Sequence, residues 1–223
     1  MLRRVVTDVR VLIADDHEVV RRGIRALLET EPGWTVCGEA ANGREAIDLA
    51  VSAAPDVAIL DVSMPELNGF EAARQIRKAV PHCEVLILTM HESEQVLREA
   101  LAAGARGYVL KSDAGRTLVA AVDALRRHKP FLTAVAADIV LADYLRREDP
   151  AGPSEVPHLQ LTPREREVVQ LLAEGKSTKG VARTLGISAK TADTHRTNVM
   201  RKLHLHSQAD LVRYAIRNNL IQA

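Results

Sequence analysis

The sequence predicts an α/β fold: a five-stranded, parallel, doubly wound sheet of order 2-1-3-4-5, joined by a helical linker to a small all-α helix-turn-helix domain. Three observations support this prediction. Short apolar segments alternate five times with amphipathic segments up to residue 128, which is typical of a parallel sheet covered by helices. The segment EDPAGPSEVPH at 148–158 contains three prolines and one glycine, which indicates a flexible connection. From Leu161 onward the pattern is helical throughout.

The elements of the first domain follow from two periodicities. The runs VAIL and VLIL are continuously apolar, as expected for strands that are covered on both faces. Strands are predicted at 10–14, 35–39, 56–60, 84–88 and 106–109. Helices are predicted at 17–30, 43–53, 68–79, 93–103 and 114–127. Apolar residues at helical spacing within 129–147 predict a further helix that leads into the connection.

The second domain is predicted from its helix boundaries. The first helix is predicted to begin with Thr162 as its N-cap and Pro163 as its first helical residue. Glu165 is the acid of a capping box with Thr162. A short second helix begins after its N-cap Ser177 and ends at Gly186. A third helix and a fourth follow. Two short helices joined by a tight turn with glycine predict a helix-turn-helix. We therefore place the domains at 1–128 and 158–223, with the linker at 129–157.

Charge separates the same two regions. The chain has a net charge of +1, but residues 157–223 contain 11 Lys and Arg against 5 Asp and Glu. A basic second domain suggests a polyanionic partner. No apolar run reaches about 18 residues, so a membrane span is not expected, and the basic start lacks the pattern of a signal peptide. The two cysteines show no metal-ligand spacing and are expected to be reduced core thiols of a cytosolic protein.

Polar residues end the predicted strands. Asp15 and Asp16 follow the first strand, Asp61 the third, Thr89 the fourth and Lys111 the fifth. In a doubly wound sheet these ends converge near the point where the strand order reverses. Carboxylates about 4 Å apart repel by roughly 4 kcal/mol per pair at a surface-like dielectric, and Mg²⁺ would relieve that repulsion.

The same arrangement suggests a reaction. With a cation beside it, Asp61 can attack a phosphoryl donor as a carboxylate nucleophile, and Lys111 and Thr89 can bind the phosphoryl oxygens. The alternative is that Asp15, Asp16 and Asp61 only cap helices or turns. That alternative explains any single acid well, but it explains poorly why five polar groups all stand at strand ends.

Residues 9–128 resemble the receiver domain of two-component response regulators, through the motifs DDH, DVSMPELNG, LT and GYVLK. The resemblance implies that Asp61 is the phosphoacceptor. It also implies that Asp16, Asp61 and the Ser63 carbonyl ligate Mg²⁺, while Asp15 acts through a bound water.

By the same resemblance, Thr89 and Tyr108 are the switch pair, and Tyr108 turns inward when the hydroxyl of Thr89 is drawn to the phosphoryl group. Lys111 binds that group. Ser112 stands where many receivers have proline.

The predicted third helix of the second domain has two faces. One stripe should pack inward and contains Ala192, His195, Val199 and Leu203. The opposite stripe is polar, with short side chains, and contains Lys190, Asp193, Thr194, Thr197 and Arg201. The basic residues Arg196, Arg201 and Lys202 flank it. Such a stripe suits docking into the major groove of DNA. From the stripe alone, an ordinary solvated face is an equally good interpretation.

The segment LTPREREVVQLLAEGKSTKGVARTLGISAKTADTHRTNVMRKL resembles the LuxR-type helix-turn-helix. A receiver followed by this module is the arrangement of the NarL/FixJ class of response regulators. The resemblance implies a cytoplasmic transcription regulator that a sensor histidine kinase phosphorylates, that binds double-stranded DNA and that forms a homodimer when phosphorylated. Lys179 is expected to contact phosphate, and Asp193 stands where some relatives carry lysine.

Two other classes of protein are weighed against this interpretation. A phosphatase of the haloacid dehalogenase type would need a second acid two residues after the nucleophile, but Ser63 stands there. A DNA-binding protein that ignores phosphorylation would not need the acid cluster. We therefore expect no enzyme beyond a receiver that catalyses its own phosphotransfer and dephosphorylation.

Overall fold

A five-stranded parallel sheet forms the centre of the first domain. The computed structural model of the chain describes residues 8–90, 93–133, 136–139 and 161–221. The strands are β1 (Val9–Ala14), β2 (Trp34–Ala40), β3 (Val57–Asp61), β4 (Glu84–Thr89) and β5 (Gly107–Leu110). They pair in the order β2-β1-β3-β4-β5, and every neighbouring pair is parallel. The predicted fold class and strand order are confirmed.

Five helices connect and cover the strands. They are α1 (Glu18–Leu28), α2 (Gly43–Ala53), α3 (Gly69–Ala79), α4 (Glu94–Ala102) and α5 (Ala114–Leu125), and a 3₁₀ turn (Lys111–Asp113) precedes α5. The side chains of Asn42, Asn68 and Ser93 accept a hydrogen bond from the third backbone N–H of the helix that each one caps. These short polar residues end the loops because they satisfy N–H groups that have no partner inside the helix.

The sheet separates two apolar layers. Along β1, Leu12 and Ala14 face α2, α3 and α4, while Val11 and Ile13 face α1 and α5. Successive side chains of a strand point to opposite faces, so a strand that is buried on both faces must be apolar at every position. This is why the third and fourth strands carry the unbroken runs seen in the sequence.

Four helices form the second domain. They are α6 (Pro163–Ala173), α7 (Thr178–Thr184), α8 (Ala189–Lys202) and α9 (Gln208–Arg217). The predicted capping box is present, since the Thr162 hydroxyl accepts from the Glu165 N–H at 3.2 Å and the Glu165 carboxylate accepts from the Thr162 N–H at 2.7 Å. Gly186 has a φ of +62° between α7 and α8, a conformation that favours glycine.

The linker is described only in part. Residues 136–139 are helical, and Ala136 is buried against the core of the first domain. The helix predicted within 129–147 is wrong at its start, because residues 129–133 are not helical. Pro130 disfavours a helical conformation at Lys129, and Phe131 pairs with β5 instead, where its carbonyl accepts from the Tyr108 N–H at 3.0 Å. Residues 134–135 and 140–160 lie outside the described residues. The predicted domain boundaries therefore remain predictions.

Gly69 marks the closest approach of backbone segments beside the site. Its N–H donates to the Val62 carbonyl at 2.9 Å, and a Cβ atom added to it would lie 2.0 Å from the Asp61 carbonyl oxygen. The end of β3 and the start of α3 can therefore touch only because this residue has no side chain. The close approach fixes the backbone of Asp61.

We expect Gly69→Ala to lower the free energy of unfolding by about 1–3 kcal/mol, because the methyl group must displace backbone atoms. Gly115→Ala is the matched control. Gly115 lies in α5 with no atom within 4 Å of an added Cβ, so that change should raise stability by about 0.5–1 kcal/mol. Urea unfolding of the three proteins measures both effects. A Gly69→Ala protein as stable as Gly115→Ala would contradict the close approach.

Candidate functional site

Lys111 joins two buried carboxylates at the carboxyl edge of the sheet. Its Nζ atom lies 2.7 Å from Asp15 Oδ2 and 3.1 Å from Asp61 Oδ1. Asp15 is fully buried and Asp61 is 2% exposed. Asp15 follows β1, Asp61 ends β3 and Lys111 follows β5, so the convergence that the strand ends predict is present for these three residues.

Burial changes the proton affinity of these groups. The pKa of Asp61 is raised to about 6: burial is the largest cause, Lys111 acts in the opposite direction, and the charges of Asp15 and Asp16 also raise the pKa. Burial lowers the pKa of Lys111, but its contacts with Asp15 and Asp61 outweigh that and raise the pKa on balance. The lysine is therefore charged at neutral pH, while the Asp61 carboxylate is more basic than an ordinary aspartate.

The acids at this edge fit a hard divalent cation. Ligand atoms of Asp15, Asp16 and His17 all lie within 4.8 Å of one another. Asp61 Oδ2 is buried and has no hydrogen-bond partner among the described residues. A buried carboxylate oxygen without a partner is costly, and oxygen-rich sites are those that Mg²⁺ prefers. Ser63 lies half-buried in the loop two residues beyond Asp61.

His17 belongs to this cluster, although the sequence interpretation assigned it no role. Its Nδ1 atom lies 2.7 Å from Asp16 Oδ1 and 3.4 Å from Asp15 Oδ1, and its backbone N–H donates to Asp15 Oδ1 at 2.9 Å. Its place in the motif DDH was the only indication in the sequence. The imidazole contacts one oxygen of the Asp16 carboxylate, so a cation that uses this oxygen must displace it.

The other two predicted receiver residues are also buried. Thr89 ends β4 and is 1% exposed, and Tyr108, on β5, is 3% exposed within the core. The roles of Thr89 and Tyr108 as a switch pair stay a prediction. Met90, directly after Thr89, is 68% exposed.

The predicted DNA-contacting residues lie on the open side of α8. Ala192 and Val199 are buried in the core of the second domain, and His195 and Leu203 are half-buried. The exposed residues on this helix include Lys190, Asp193, Thr194, Arg196, Thr197 and Arg201, and Lys179 is exposed on α7. The two predicted faces of the helix are therefore present.

None of the helices in the described part of the chain combines the length and the apolar character that a membrane span needs.

Comparison with known proteins covers both domains. Residues 11–123 match the response regulator receiver domain, and residues 159–215 match the bacterial regulatory proteins of the luxR family. The chain is 37% identical to the transcriptional regulatory protein LiaR of Bacillus subtilis over 213 residues. This alignment covers 96% of this chain and 99% of LiaR. It is 34% identical over 216 residues to the oxygen regulatory protein NreC of Staphylococcus epidermidis, covering 96% and 99% of the two chains.

Solved structures of response regulators also align with this chain. RcsB from Salmonella enterica serovar Typhimurium, bound to promoter rprA in the presence of the phosphomimetic BeF₃⁻, aligns with a TM-score of 0.60 at 26% identity, over 93% of this chain and 98% of that chain. A LuxR-family regulator from Aurantimonas sp. SI85-9A1 aligns with a TM-score of 0.59 at 34% identity, over 62% of this chain and 99% of that one. Because the receiver and LuxR-type matches occur together, and full-length relatives cover nearly the whole chain, the protein belongs to the two-component response regulators that carry a receiver domain and a LuxR-type DNA-binding domain.

Proposed function

We propose that a sensor histidine kinase phosphorylates Asp61, and that this modification controls how the second domain binds DNA and regulates transcription. One observation carries the proposal. Asp61 is a buried carboxylate with one oxygen 3.1 Å from Lys111 and the other without a hydrogen-bond partner among the described residues. A buried aspartate with only a structural role would be expected to form hydrogen bonds through both carboxylate oxygens.

The chemistry uses groups of this chain. A carboxylate oxygen of Asp61 attacks the phosphorus atom of a phosphohistidine, a P–O bond forms, and the P–N bond breaks with its electron pair leaving on the imidazole. With a pKa of about 6, Asp61 is mostly ionised at neutral pH and yet more basic than usual. Lys111 is already at hydrogen-bond distance, so it can neutralise charge on the new phosphoryl oxygens without moving far.

Mg²⁺ is the cofactor in this proposal. Asp15, Asp16, Asp61 and the Ser63 carbonyl would hold it, with Asp15 acting through a bound water. When bound, the cation would neutralise the acids and the incoming phosphoryl oxygens. The buried Asp61 oxygen and the donor set of the edge support this assignment.

Thr89 and Tyr108 are the proposed switch pair. Because Tyr108 is already buried, we expect most of the change on phosphorylation to occur at Thr89, whose hydroxyl would turn to the phosphoryl group. This change would alter the balance between two arrangements of the protein, since a modification acts by favouring one of them.

The second domain would bind double-stranded DNA as part of a homodimer formed on phosphorylation. The exposed stripe of α8 and the DNA-bound RcsB structures support DNA as the partner. The protein would turn over no external substrate, because the receiver serves only its own phosphotransfer and dephosphorylation. The free cysteines Cys37 and Cys83 agree with the reducing cytoplasm as the proposed location.

The acceptor can be tested directly. Asp61→Asn should abolish labelling by acetyl phosphate in the presence of Mg²⁺, because the amide is not a nucleophile for phosphorus. Intact-protein mass spectrometry measures the added phosphoryl group. Asp48→Asn, which changes an exposed acid on α2, should label as wild type does. Labelling that survives in Asp61→Asn would remove this residue from the role.

The cation can be tested through stability. Mg²⁺ should raise the melting temperature of the wild type, because it binds the folded site and relieves repulsion between the acids. Asp16→Ala should cancel that rise, whereas Asp48→Ala should keep it. Differential scanning calorimetry with Mg²⁺ or with a chelator gives the comparison, and an undiminished rise in Asp16→Ala would count against the site.

The size of this Mg²⁺ effect should depend on pH. Folding raises the pKa of Asp61 from 3.8 to about 6, so the protonated carboxyl is favoured in the folded protein. The raised pKa contributes to the free energy of unfolding. This contribution is fully present below about pH 4 and is lost as the pH rises through about 6. The rise in melting temperature caused by Mg²⁺ should therefore be larger at about pH 7.5 than at about pH 5.

Base recognition can be tested at Asp193. A carboxylate near phosphates is unfavourable unless it accepts a hydrogen bond from a base, and the N4 amino group of cytosine is a suitable donor. Asp193→Ala should therefore strengthen binding to random DNA and relax the preference at one position of each half-site by about 1–3 kcal/mol. Site selection from a random DNA pool measures both. Identical selected motifs would leave Asp193 as a solvated acid.

Lys179 provides the contrasting control. It lies exposed on α7, where a phosphate contact would carry no sequence information. Lys179→Ala should weaken binding to all sequences alike and flatten the dependence of affinity on salt. The selected motif should stay that of the wild type.

A further inference from the structure

Arg21, on α1, reaches back to the backbone of the acid site. Its Nη1 atom donates to the Asp15 carbonyl at 2.7 Å, and its side chain is 15% exposed. A hydrogen bond from a charged donor at this distance is stronger than one between neutral groups. We call residues 15–17, which connect β1 to α1, the acid turn. The sequence interpretation assigned no role to Arg21, which the structure places against this turn.

The acid turn contains one peptide unit on which both of its aspartates depend. The Asp15 carbonyl and the Asp16 N–H belong to the same planar peptide. The direction of this carbonyl therefore sets the backbone dihedrals ψ of Asp15 and φ of Asp16. Those two dihedrals decide how the two carboxylates are placed relative to each other. By binding the carbonyl, Arg21 constrains both acids through the backbone.

Strand β2 holds the same turn from the other side. The Asp15 N–H donates to the Ala40 carbonyl at 3.2 Å, so both backbone polar groups of Asp15 have partners. Glu39, the residue before Ala40, has its Oε2 atom 3.4 Å from Arg21 Nε, and its Oε1 atom accepts from Arg25 Nε at 2.6 Å. An arginine that is paired in this way loses few further conformations when it binds the carbonyl. Glu39 thus keeps Arg21 directed at the acid turn.

The neighbouring arginine shows what a solvated role looks like. Arg22 is on the same helix, its side chain is 76% exposed, and it pairs with Glu18 one turn away. Such a pair contributes little to stability. Arg21 instead is largely buried, although burying a charged group is costly unless it has partners of its own. Its burial is explained by the carbonyl that it binds and by the acid that orients it.

We propose that Arg21 is a positioning residue for the cation site: it fixes the peptide between Asp15 and Asp16, so that the two carboxylates stand ready for Mg²⁺ before the cation binds. The inference rests on the Mg²⁺ site of the proposed function. Groups that orient metal ligands without touching the metal commonly change its affinity by about 10–100-fold. The guanidinium also carries a positive charge, which by itself repels a nearby cation. Removal of Arg21 therefore weakens Mg²⁺ binding if it positions the acids, and strengthens it if only its charge matters.

Two substitutions test the role in the full-length protein. Arg21→Met removes the charge and every donor but keeps an apolar stem, which preserves the packing of the helix. Arg21→Lys keeps the charge, but offers one nitrogen in place of the two that serve Asp15 and Glu39. Arg22→Met is the matched control, with the same chemical change at the next position of α1. Circular dichroism melting without Mg²⁺ checks that each variant is folded.

The first measurement is Mg²⁺ affinity by isothermal titration calorimetry, with no phosphoryl donor present. The dissociation constant should rise by about tenfold in Arg21→Met and by about threefold in Arg21→Lys, and should stay within about twofold of the wild type in Arg22→Met. Wild-type or tighter binding in Arg21→Met would overturn the proposal. If Arg21→Met is not folded, wild-type binding in Arg21→Lys overturns it instead.

The second measurement is the Mg²⁺ dependence of labelling by acetyl phosphate. In Arg21→Met the Mg²⁺ concentration for half-maximal rate should rise by about tenfold. The rate at saturating Mg²⁺ should stay within about twofold of the wild type, because positioning no longer limits the reaction once the cation is bound. A purely structural role would lower the melting temperature and change neither quantity. A lower saturated rate with unchanged Mg²⁺ dependence would overturn the proposal.

Asp16→Ala separates failure of this inference from failure of the proposed function. A wild type that binds no Mg²⁺ would refute the cation site and the role of Arg21 together. Mg²⁺ binding that is lost in Asp16→Ala but unchanged in Arg21→Met would refute only the role of Arg21.

Discussion

The contact between Lys111 and the two buried aspartates is the interaction on which the site depends. Asp15 and Asp61 stand at the ends of adjacent strands, at 0% and 2% exposure, where two unpaired carboxylates would be strongly unfavourable. One ammonium group within 3.1 Å of both acids makes their burial possible. The arrangement leaves one Asp61 oxygen without a partner among the described residues. The fold therefore holds a carboxylate that is desolvated, ionisable near neutral pH and incompletely satisfied.

The backbone around Asp61 is tightly constrained where β3 meets the start of α3. Gly69 brings the start of α3 into contact with the Asp61 carbonyl, so this part of the backbone cannot relax without breaking packed contacts. Residues 62–68 connect these two points. In this segment the Asn68 N–H donates to the Gln170 side chain of α6, and the Met64 carbonyl accepts from it. This segment is therefore the part of the backbone beside Asp61 that the second domain contacts.

Two kinds of electrostatic interaction act between the domains. The acidic first domain and the basic second domain attract each other in general, since a separation of charge along the chain favours association of its two parts. Half-exposed ion pairs such as Lys176 with Glu66, at 3.2 Å, contribute little individually. The buried carboxamide of Gln170 has directed hydrogen bonds and fixes one orientation. Charge therefore favours contact, and Gln170 determines its geometry.

Most of the fold and the centre of the site follow from the sequence alone. Apolar periodicity places the strands within about one residue of their observed ends, because it reports burial against an apolar core. The capping box of Thr162 and Glu165 joins residues three positions apart, so the sequence pattern alone predicts it. The convergence of Asp15, Asp61 and Lys111 needs only strand ends and a known rule for parallel sheets. The motifs of the receiver and LuxR-type families add the expected roles.

Only the tertiary structure decided how polar side chains are used. The pairing of His17 with Asp16 depends on a side-chain conformation that no periodicity encodes. Gln170 and Glu167 have the polar character of a solvated helix face, yet both are buried. Their partners lie about a hundred residues away in the receiver. A polar contact between domains has the same sequence pattern as a surface that faces water, so hydrophobic periodicity cannot distinguish the two, and the three-dimensional positions of the partners must be known.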